Sequence, residues 1–276
     1  MDIQLELEKK KIAVLGMGRE GWSTYEFLRK IFPLKRLTLI DQNHGAFTDK
    51  ILDENSELIF GDNYLDNLSA FDLIFKAPGI PSFLIPQDIT PDKISSQTDL
   101  FLKLFSKQCV GVTGTKGKST TSSLIYHIIK ESGRNVHFAG NIGIPPLSLY
   151  NEIAENDVIV MELSSHQLEN ISISPHIGII LNLFEEHLDH YHSYREYCLA
   201  KLNLGKFQND GDIPMKKQAA AAAMAFPRLC VPGRVRLLIL AICVLLPVKS
   251  LIVTSFSSKC IPAPVVSIVE NGRSPL

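Results

Sequence analysis

A run of small and polar residues near the middle of the chain has the types and spacing to hold phosphate. Gly111-Val112-Thr113-Gly114-Thr115-Lys116-Gly117-Lys118-Ser119-Thr120 follows a short apolar run, Cys109, Val110 and Val112. It precedes a helical pattern over 122–132 with Leu124, Ile125, Ile128 and Ile129 on one side. In such a strand, turn and helix the backbone N–H groups wrap phosphate oxygens, the lysine reaches the β and γ oxygens and the hydroxyl ligates Mg²⁺. The strict pattern wants a glycine five positions before the second one, and Val112 stands there. Gly114-x-x-Gly117-Lys118-Ser119-Thr120 remains, and it makes Gly114 to Thr120 the candidate ATP- or GTP-binding loop, with Ser119 as a metal ligand.

Other chemistry-bearing residues sit at the ends of apolar runs. Val158-Ile159-Val160-Met161 ends in Glu162, where a Mg²⁺-binding acid belongs beside a phosphate loop. Ile177-Gly178-Ile179-Ile180-Leu181 leads to Asn182-Leu183-Phe184-Glu185-Glu186-His187-Leu188-Asp189-His190-Tyr191-His192, whose histidine spacing matches no common zinc pattern. Asn141, between Gly140 and Gly143, can offer an amide to a ligand or simply make a turn. Ser193-Tyr194-Arg195-Glu196 reads as a capping box, and on the helix it opens Tyr194, Cys198 and Lys201 share one face. A lysine on such a face is ordinarily explained by its stem covering apolar surface while its head stays in water.

The elements that must carry these residues are strands and helices in alternation. Lys11-Ile12-Ala13-Val14-Leu15 runs into Gly16-Met17-Gly18-Arg19-Glu20-Gly21 and a helical stretch over 22–32, and a second strand, 37–40, ends on Asp41. That is a dinucleotide fingerprint in its proper context. It is open between an NAD site, another nucleotide such as a UDP-sugar, and a purely structural turn. Leu58-Ile59-Phe60 and Leu73-Ile74-Phe75 read as further parallel strands, the latter running into the rigid turn Lys76-Ala77-Pro78-Gly79-Ile80-Pro81. A helix over 98–105 then leads into the phosphate-loop strand, which sets a domain boundary near residue 107.

Composition bounds the rest. The chain has 276 residues, 45% of them hydrophobic, enough for one or two cores. A formal net charge of −1 points to no nucleic acid and no anionic membrane. The N-terminus has no basic region followed by an apolar one, and five scattered cysteines suit a reducing cytoplasm. The charge is unevenly spread: −8 up to Pro214 and +7 from Met215 on, where three of the five cysteines lie.

With these stretches in this order the chain resembles the Mur ligases, the ATP-dependent amide-forming enzymes of peptidoglycan precursor synthesis. The resemblance rests on Gly16 to Gly21, Ala77-Pro78-Gly79-Ile80, Gly114 to Thr120, Gly140-Asn141-Ile142-Gly143, Glu162-Leu163-Ser164-Ser165-His166-Gln167-Leu168-Glu169, His187-Leu188-Asp189 and Ala200-Lys201. It covers roughly residues 10 to 208. The string from Glu162 to Glu169 is most similar to the branch that adds D-glutamate, although His166 stands where that branch usually has an aromatic.

The resemblance implies an α/β fold. An N-terminal Rossmann-like parallel-sheet domain, 1–106, would precede a partial P-loop ATPase-like central domain, 107–214, and an irregular tail, 215–276. It places Gly18, Asp41, Ala77, Pro78 and Gly79 around the uridine and pyrophosphate of a sugar nucleotide, with no NAD. Lys118 and Ser119 would serve ATP and a first Mg²⁺, with Glu162 as a further metal ligand. Asn141 and Ser164 would touch the acyl substrate, His187 would face a second Mg²⁺, and Lys201 would be the carbamylated lysine that bridges the metals. The implied catalytic set is Lys118, His187 and Lys201. The implied reactants are UDP-N-acetylmuramoyl-L-alanine, D-glutamate and ATP, joined by a monomeric cytoplasmic ligase through an acyl phosphate.

The tail departs from that pattern. Met215-Lys216-Lys217-Gln218, five alanines and an apolar run over 237–248 look like a displaced signal peptide, and the run is short of the roughly 20 residues that span a bilayer. A shifted reading frame or a joined fragment is the expectation, with a membrane-anchoring tail or a diverged domain as alternatives. On that expectation the polypeptide alone is inactive. Rival functions are another amide ligase of the superfamily, such as a folylpolyglutamate synthase, a non-catalytic UDP-sugar or nucleotide-binding module, and an NAD dehydrogenase, in which the Lys118 loop has no role.

Overall fold

The structure, a computed structural model, describes residues 3–48, 51–209 and 212. After a short helix α1 (Ile3–Glu8), the first apolar run forms strand β1 (Ile12–Leu15) with all four side chains buried, as a strand covered on both faces requires. Helix α2 (Arg19–Ile31) crosses to β2 (Leu37–Asp41), and β3 (Ser56–Phe60), β4 (Leu73–Lys76) and the short β5 (Ile94–Ser95) complete a sheet of order β3-β2-β1-β4-β5. Every pairing is parallel; Val14 lies opposite Leu39 on one side and Phe75 on the other. The order reverses between β1 and β4, so their carboxyl ends open a crevice of the kind that takes ligands in such sheets.

Helix α3 (Gln97–Phe105), capped by the Ser96 hydroxyl on the Asp99 N–H, leads to a second sheet. Strand β6 (Cys109–Thr113) is followed by α4 (Lys118–Glu131), β7 (Val136–Gly140), β8 (Val158–Glu162), the single turn α5 (Ser165–Leu168), β9 (Ile177–Ile180) and α6 (Tyr194–Lys206). This sheet is also wholly parallel, with order β7-β8-β6-β9. The α/β reading of the sequence therefore holds for the described residues. One apolar core joins the two sheets: Val14, Phe27 and Phe75 from the first belong to the same buried cluster as Phe101, Met161, Leu163 and Leu204.

Two local expectations change. The phosphate-loop helix starts at Lys118, four residues before the periodic apolar pattern, because Gly117 at φ +87° ends the turn and releases the chain into the helix. At α6 Ser193 does cap the Glu196 N–H, but the Glu196 carboxylate accepts from the His192 N–H instead of closing the box on Ser193. A complete capping box stands at α5, where Ser164 and Gln167 bond each other's backbone N–H groups. The tail, 215–276, lies outside the described residues. Among the described residues no helix is long and apolar enough to cross a membrane.

Candidate functional site

The phosphate loop is built by its glycines and closed from a neighbouring strand. Gly114 adopts φ +150°, and a Cβ there would lie 3.0 Å from the Leu181 Cβ. The residue that follows β9 by two, Asn182, clamps the loop with three bonds. Its carbonyl accepts from the Thr115 N–H (2.9 Å), its Oδ1 from the Lys116 N–H (2.9 Å), and its Nδ2 donates to the Lys116 carbonyl (2.9 Å). Lys118 Nζ lies back over the loop, 2.9 Å from the Gly114 carbonyl and 3.2 Å from that of Thr115. Lys116 reaches outward to pair with Glu186, whose carboxyl is held below the usual range chiefly by that bond. Gly117, Ser119 and Thr120 are exposed on the rim.

Glu162 ends β8, next to β6 in the sheet, and is 1% exposed. Its Oε1 accepts from Asn141 Nδ2 at 2.9 Å, while its carbonyl accepts from the Asn141 N–H at 2.9 Å. Gly140 permits that approach: it sits at φ +108°, and a Cβ would fall 2.2 Å from the Glu162 carbonyl oxygen. Glu162 Oε2 is buried with no hydrogen-bond partner. A buried anionic oxygen without a donor is costly, and a hard divalent cation bound between this carboxylate and a nucleotide phosphate would satisfy it. The donor set therefore fits Mg²⁺.

Lys201 is the most altered group of the site. It does not send its head into water as an amphipathic face predicts; it is 1% exposed. Helix α6 carries it beneath the loop, with Nζ 3.2 Å from the Gly114 carbonyl, 3.5 Å from Thr113 Oγ1 and 4.8 Å from the centre of the Tyr197 ring. Burial first, and the Lys118 charge second, push its pKa down to about 7. Thr113 Oγ1 also donates to the Leu163 carbonyl at 2.7 Å, which links the tips of β6 and β8 around this amine.

His187 is exposed at φ +59°, among the described residues the one non-glycine residue with positive φ. Its ring lies 4.9 Å from that of His166 and 5.9 Å from Tyr197, and His166 packs 4.0 Å from His190 and stacks on Tyr191. Burial, followed by the neighbouring imidazoles, drives the His166 pKa down to about 4. His190 approaches Glu169, which pairs with the buried Lys76 of β4 at 3.3 Å.

The first sheet contributes a second set of loops. Gly16 turns at φ +90°, and a Cβ on Gly21 would lie 2.0 Å from the Gly16 carbonyl oxygen, so strand and helix meet there only through glycine. Gly18 starts α2 with open space around it. Asp41 is committed to this turn, its Oδ2 accepting from the Met17 N–H at 2.6 Å and its Oδ1 from the Asn43 N–H at 2.8 Å. Ala77 continues the sheet edge through a 2.8 Å bond to the Leu15 carbonyl, and Pro78 and Gly79 follow at the same crevice.

The structure thus gathers Gly114 to Ser119, Asn141, Glu162, Ser164 and Lys201 around the carboxyl end of the second sheet, and Gly18, Asp41 and Ala77 to Gly79 around that of the first. Three contributors were given no role in the reading of the sequence. Asn182 was visible only as the polar residue after an apolar run. Tyr197, 0% exposed, bonds Thr115 through its hydroxyl at 2.8 Å and lies under Lys201. Gln167 was visible only as part of a motif.

Residues 112–221 match the family model described as the Mur ligase middle domain. Among curated proteins the chain is 34% identical over 220 residues to a UDP-N-acetylmuramoylalanine--D-glutamate ligase of Clostridium kluyveri, a match covering 77% of this chain and 47% of that protein. A protein of the same name from Clostridium botulinum is 34% identical over 215 residues, covering 75% and 46%. The chain spans about half the length of the curated relatives it matches. Among solved structures, the UDP-N-acetylmuramate:L-alanyl-gamma-D-glutamyl-meso-diaminopimelate ligase from Neisseria meningitides is similar at a TM-score of 0.44 and 13% identity, over 79% of this chain and 76% of that one.

Proposed function

The chain belongs to the Mur ligase family through residues 112–221, and from that premise we propose that it activates the L-alanyl carboxylate of UDP-N-acetylmuramoyl-L-alanine with ATP, for amide formation with D-glutamate. The names carried by the curated relatives support the choice of substrates. The observation that carries the chemistry is the buried Glu162 carboxylate, one strand from the phosphate loop, with an oxygen that no protein donor satisfies.

In this reading the uridine and pyrophosphate lie over Gly18, Asp41 and the Ala77-Pro78-Gly79 turn, and the acyl end reaches Asn141 and Ser164. The substrate carboxylate attacks the γ-phosphate of ATP, ADP leaves, and an acyl phosphate results. The amine of D-glutamate then displaces phosphate. Lys118 and the N–H groups at the start of α4 meet the charge of the nucleotide phosphates, and Asn182 keeps the loop in the shape that lets them. Ser119 and Glu162 would hold one Mg²⁺ and His187 would face a second, and these ions would supply charge neutralisation for phosphoryl transfer. Lys201 holds an amine that is partly neutral near pH 7. The neutral form of such an amine adds CO₂ with loss of one proton, and the resulting carbamate would be an anionic ligand for a metal.

The test is direct. The full chain is incubated with ATP, Mg²⁺ and UDP-N-acetylmuramoyl-L-alanine, and the acyl phosphate is trapped with hydroxylamine. Hydroxamate that requires the sugar nucleotide, and that Glu162→Ala abolishes, supports the proposal. Sugar-nucleotide binding with no ATP-dependent product would make this chain a binding module, and the ligase reading would fall.

A further inference from the structure

The first turn of α2 sends two adjacent side chains to two different loops of the second sheet. Arg19 donates to the carbonyls of Asn141 (3.1 Å) and Gly143 (3.5 Å). Glu20 turns the other way, and its Oε1 accepts from Gln167 Nε2 at 2.6 Å. Gln97 secures the same turn from below through a 2.7 Å bond to the Glu20 carbonyl. Glu20 Oε2 is buried with no partner, and burial raises the pKa of this carboxyl against the opposing pull of Gln167. Gln167, 2% exposed, in turn accepts from the Ser164 N–H through its Oε1 at 3.0 Å, while its own N–H donates to Ser164 Oγ at 3.2 Å.

An amide side chain has one accepting end and one donating end. Glu20 Oε1 takes the donating end, so Gln167 turns its NH₂ toward Glu20 and its oxygen toward Ser164. The Ser164 N–H, a donor only, asks for the same orientation, and the Glu20 bond anchors the far, donating end of the amide, which has no other partner in the contacts described. Ser164 stands two residues beyond Glu162, at the start of α5, and its hydroxyl orientation is set by the same capping box.

We propose that Glu20 is a positioning residue that acts through Gln167 to hold Ser164, and with it the tip of β8, in the geometry that receives the acyl end of the sugar nucleotide. The helix turn that carries the nucleotide-binding glycines of the first sheet then also sets the acyl site of the second. The proposal rests on the functional reading above, in which Gly18 faces the nucleotide and Ser164 the acyl group.

Three measurements on the full chain test it: affinity for UDP-N-acetylmuramoyl-L-alanine, affinity for ADP with Mg²⁺, and amide hydrogen exchange at Ser164. Glu20→Ala is expected to weaken the sugar nucleotide by about tenfold, the worth of one hydrogen bond to a charged group. It should speed Ser164 exchange and leave ADP affinity within about twofold. Glu20→Gln supplies an oxygen that accepts the same bond, and it is expected to restore both readouts. Wild-type sugar-nucleotide affinity and unchanged Ser164 exchange in Glu20→Ala would overturn the proposal. So would an equal loss of both ligands in Glu20→Ala and Glu20→Gln, since that is what general loosening of the interface predicts. If the wild-type chain binds ADP and not the sugar nucleotide, the functional reading fails and takes the acyl-site role with it; the exchange data then decide separately whether Glu20 holds Ser164.

Discussion

Around Lys201 the contacts are two oxygens of the β6 tip and the face of Tyr197, and none of them is a carboxylate hydrogen-bonded to the ammonium. Burial, and then the Lys118 charge, leave the proton weakly bound, near pH 7 in the folded chain against 10.5 for a free lysine. Between those values the unfolded chain holds a proton that the native one has released, so stability rises with pH across that window and is flat below it. In bicarbonate-free and metal-free buffer, urea unfolding is expected to show a gain of about 2 kcal/mol between about pH 7 and about pH 9. Lys201→Met should flatten that slope; a wild-type profile that is already flat would refute the assignment. The same amine is expected to give a carbamate signal with ¹³C-labelled bicarbonate in carbon NMR, lost in Lys201→Met.

At the scale of elements, the loops that carry the site depend on glycines and caps. Gly140→Ala combines a positive φ with a Cβ placed 2.2 Å from the Glu162 carbonyl oxygen, so β7 and β8 must part at their tips. A cost of about 3 kcal/mol or more is expected by chemical denaturation, together with loss of Mg²⁺-dependent nucleotide binding, because Asn141 leaves Glu162. Ser164→Ala removes the cap of α5 and should cost about 1 kcal/mol. These elements also show what the sequence made legible. Glycine runs after apolar strands located the phosphate loop, the Gly16 to Gly21 turn and the Gly140 loop, since each demands a conformation that leaves a local signature. Lys201 was legible only as a member of a helix face. What surrounds it comes from β6 and its loop, distant in sequence, and periodicity reports which residues share a face but not what that face meets. Tyr197 and Asn182 escaped for the same reason, and Ser193 to Glu196 imitated a box that Ser164 and Gln167 form.

At the scale of the molecule, the two sheets are joined by polar contacts as well as by core. Lys76, 2% exposed, ends β4 of the first sheet and pairs with Glu169 beyond α5 of the second. Burial lowers the Lys76 pKa and the Glu169 charge opposes that fall. Glu169→Gln leaves a buried ammonium without its counter-charge and is expected to destabilise the chain by about 3 kcal/mol, and the double variant Lys76→Met/Glu169→Gln should recover part of it. Additive losses in that double-mutant cycle would mean that the pair is not coupled.

The strand order of the second sheet also constrains how the chain can be made. Strand β6 is interior, and its two neighbours, β8 and β9, are both synthesised after it, with α4, β7 and α5 intervening. The phosphate loop takes its shape from Asn182, which comes later still. A nascent chain that has not yet extruded β9 therefore holds the loop sequence without the loop structure, and slow closure of such distant parallel pairs dominates the folding time. In pulsed hydrogen exchange during refolding, protection of the Gly111 and Thr113 amides, which face β9, is expected to arrive together with that of β9, and never ahead of it.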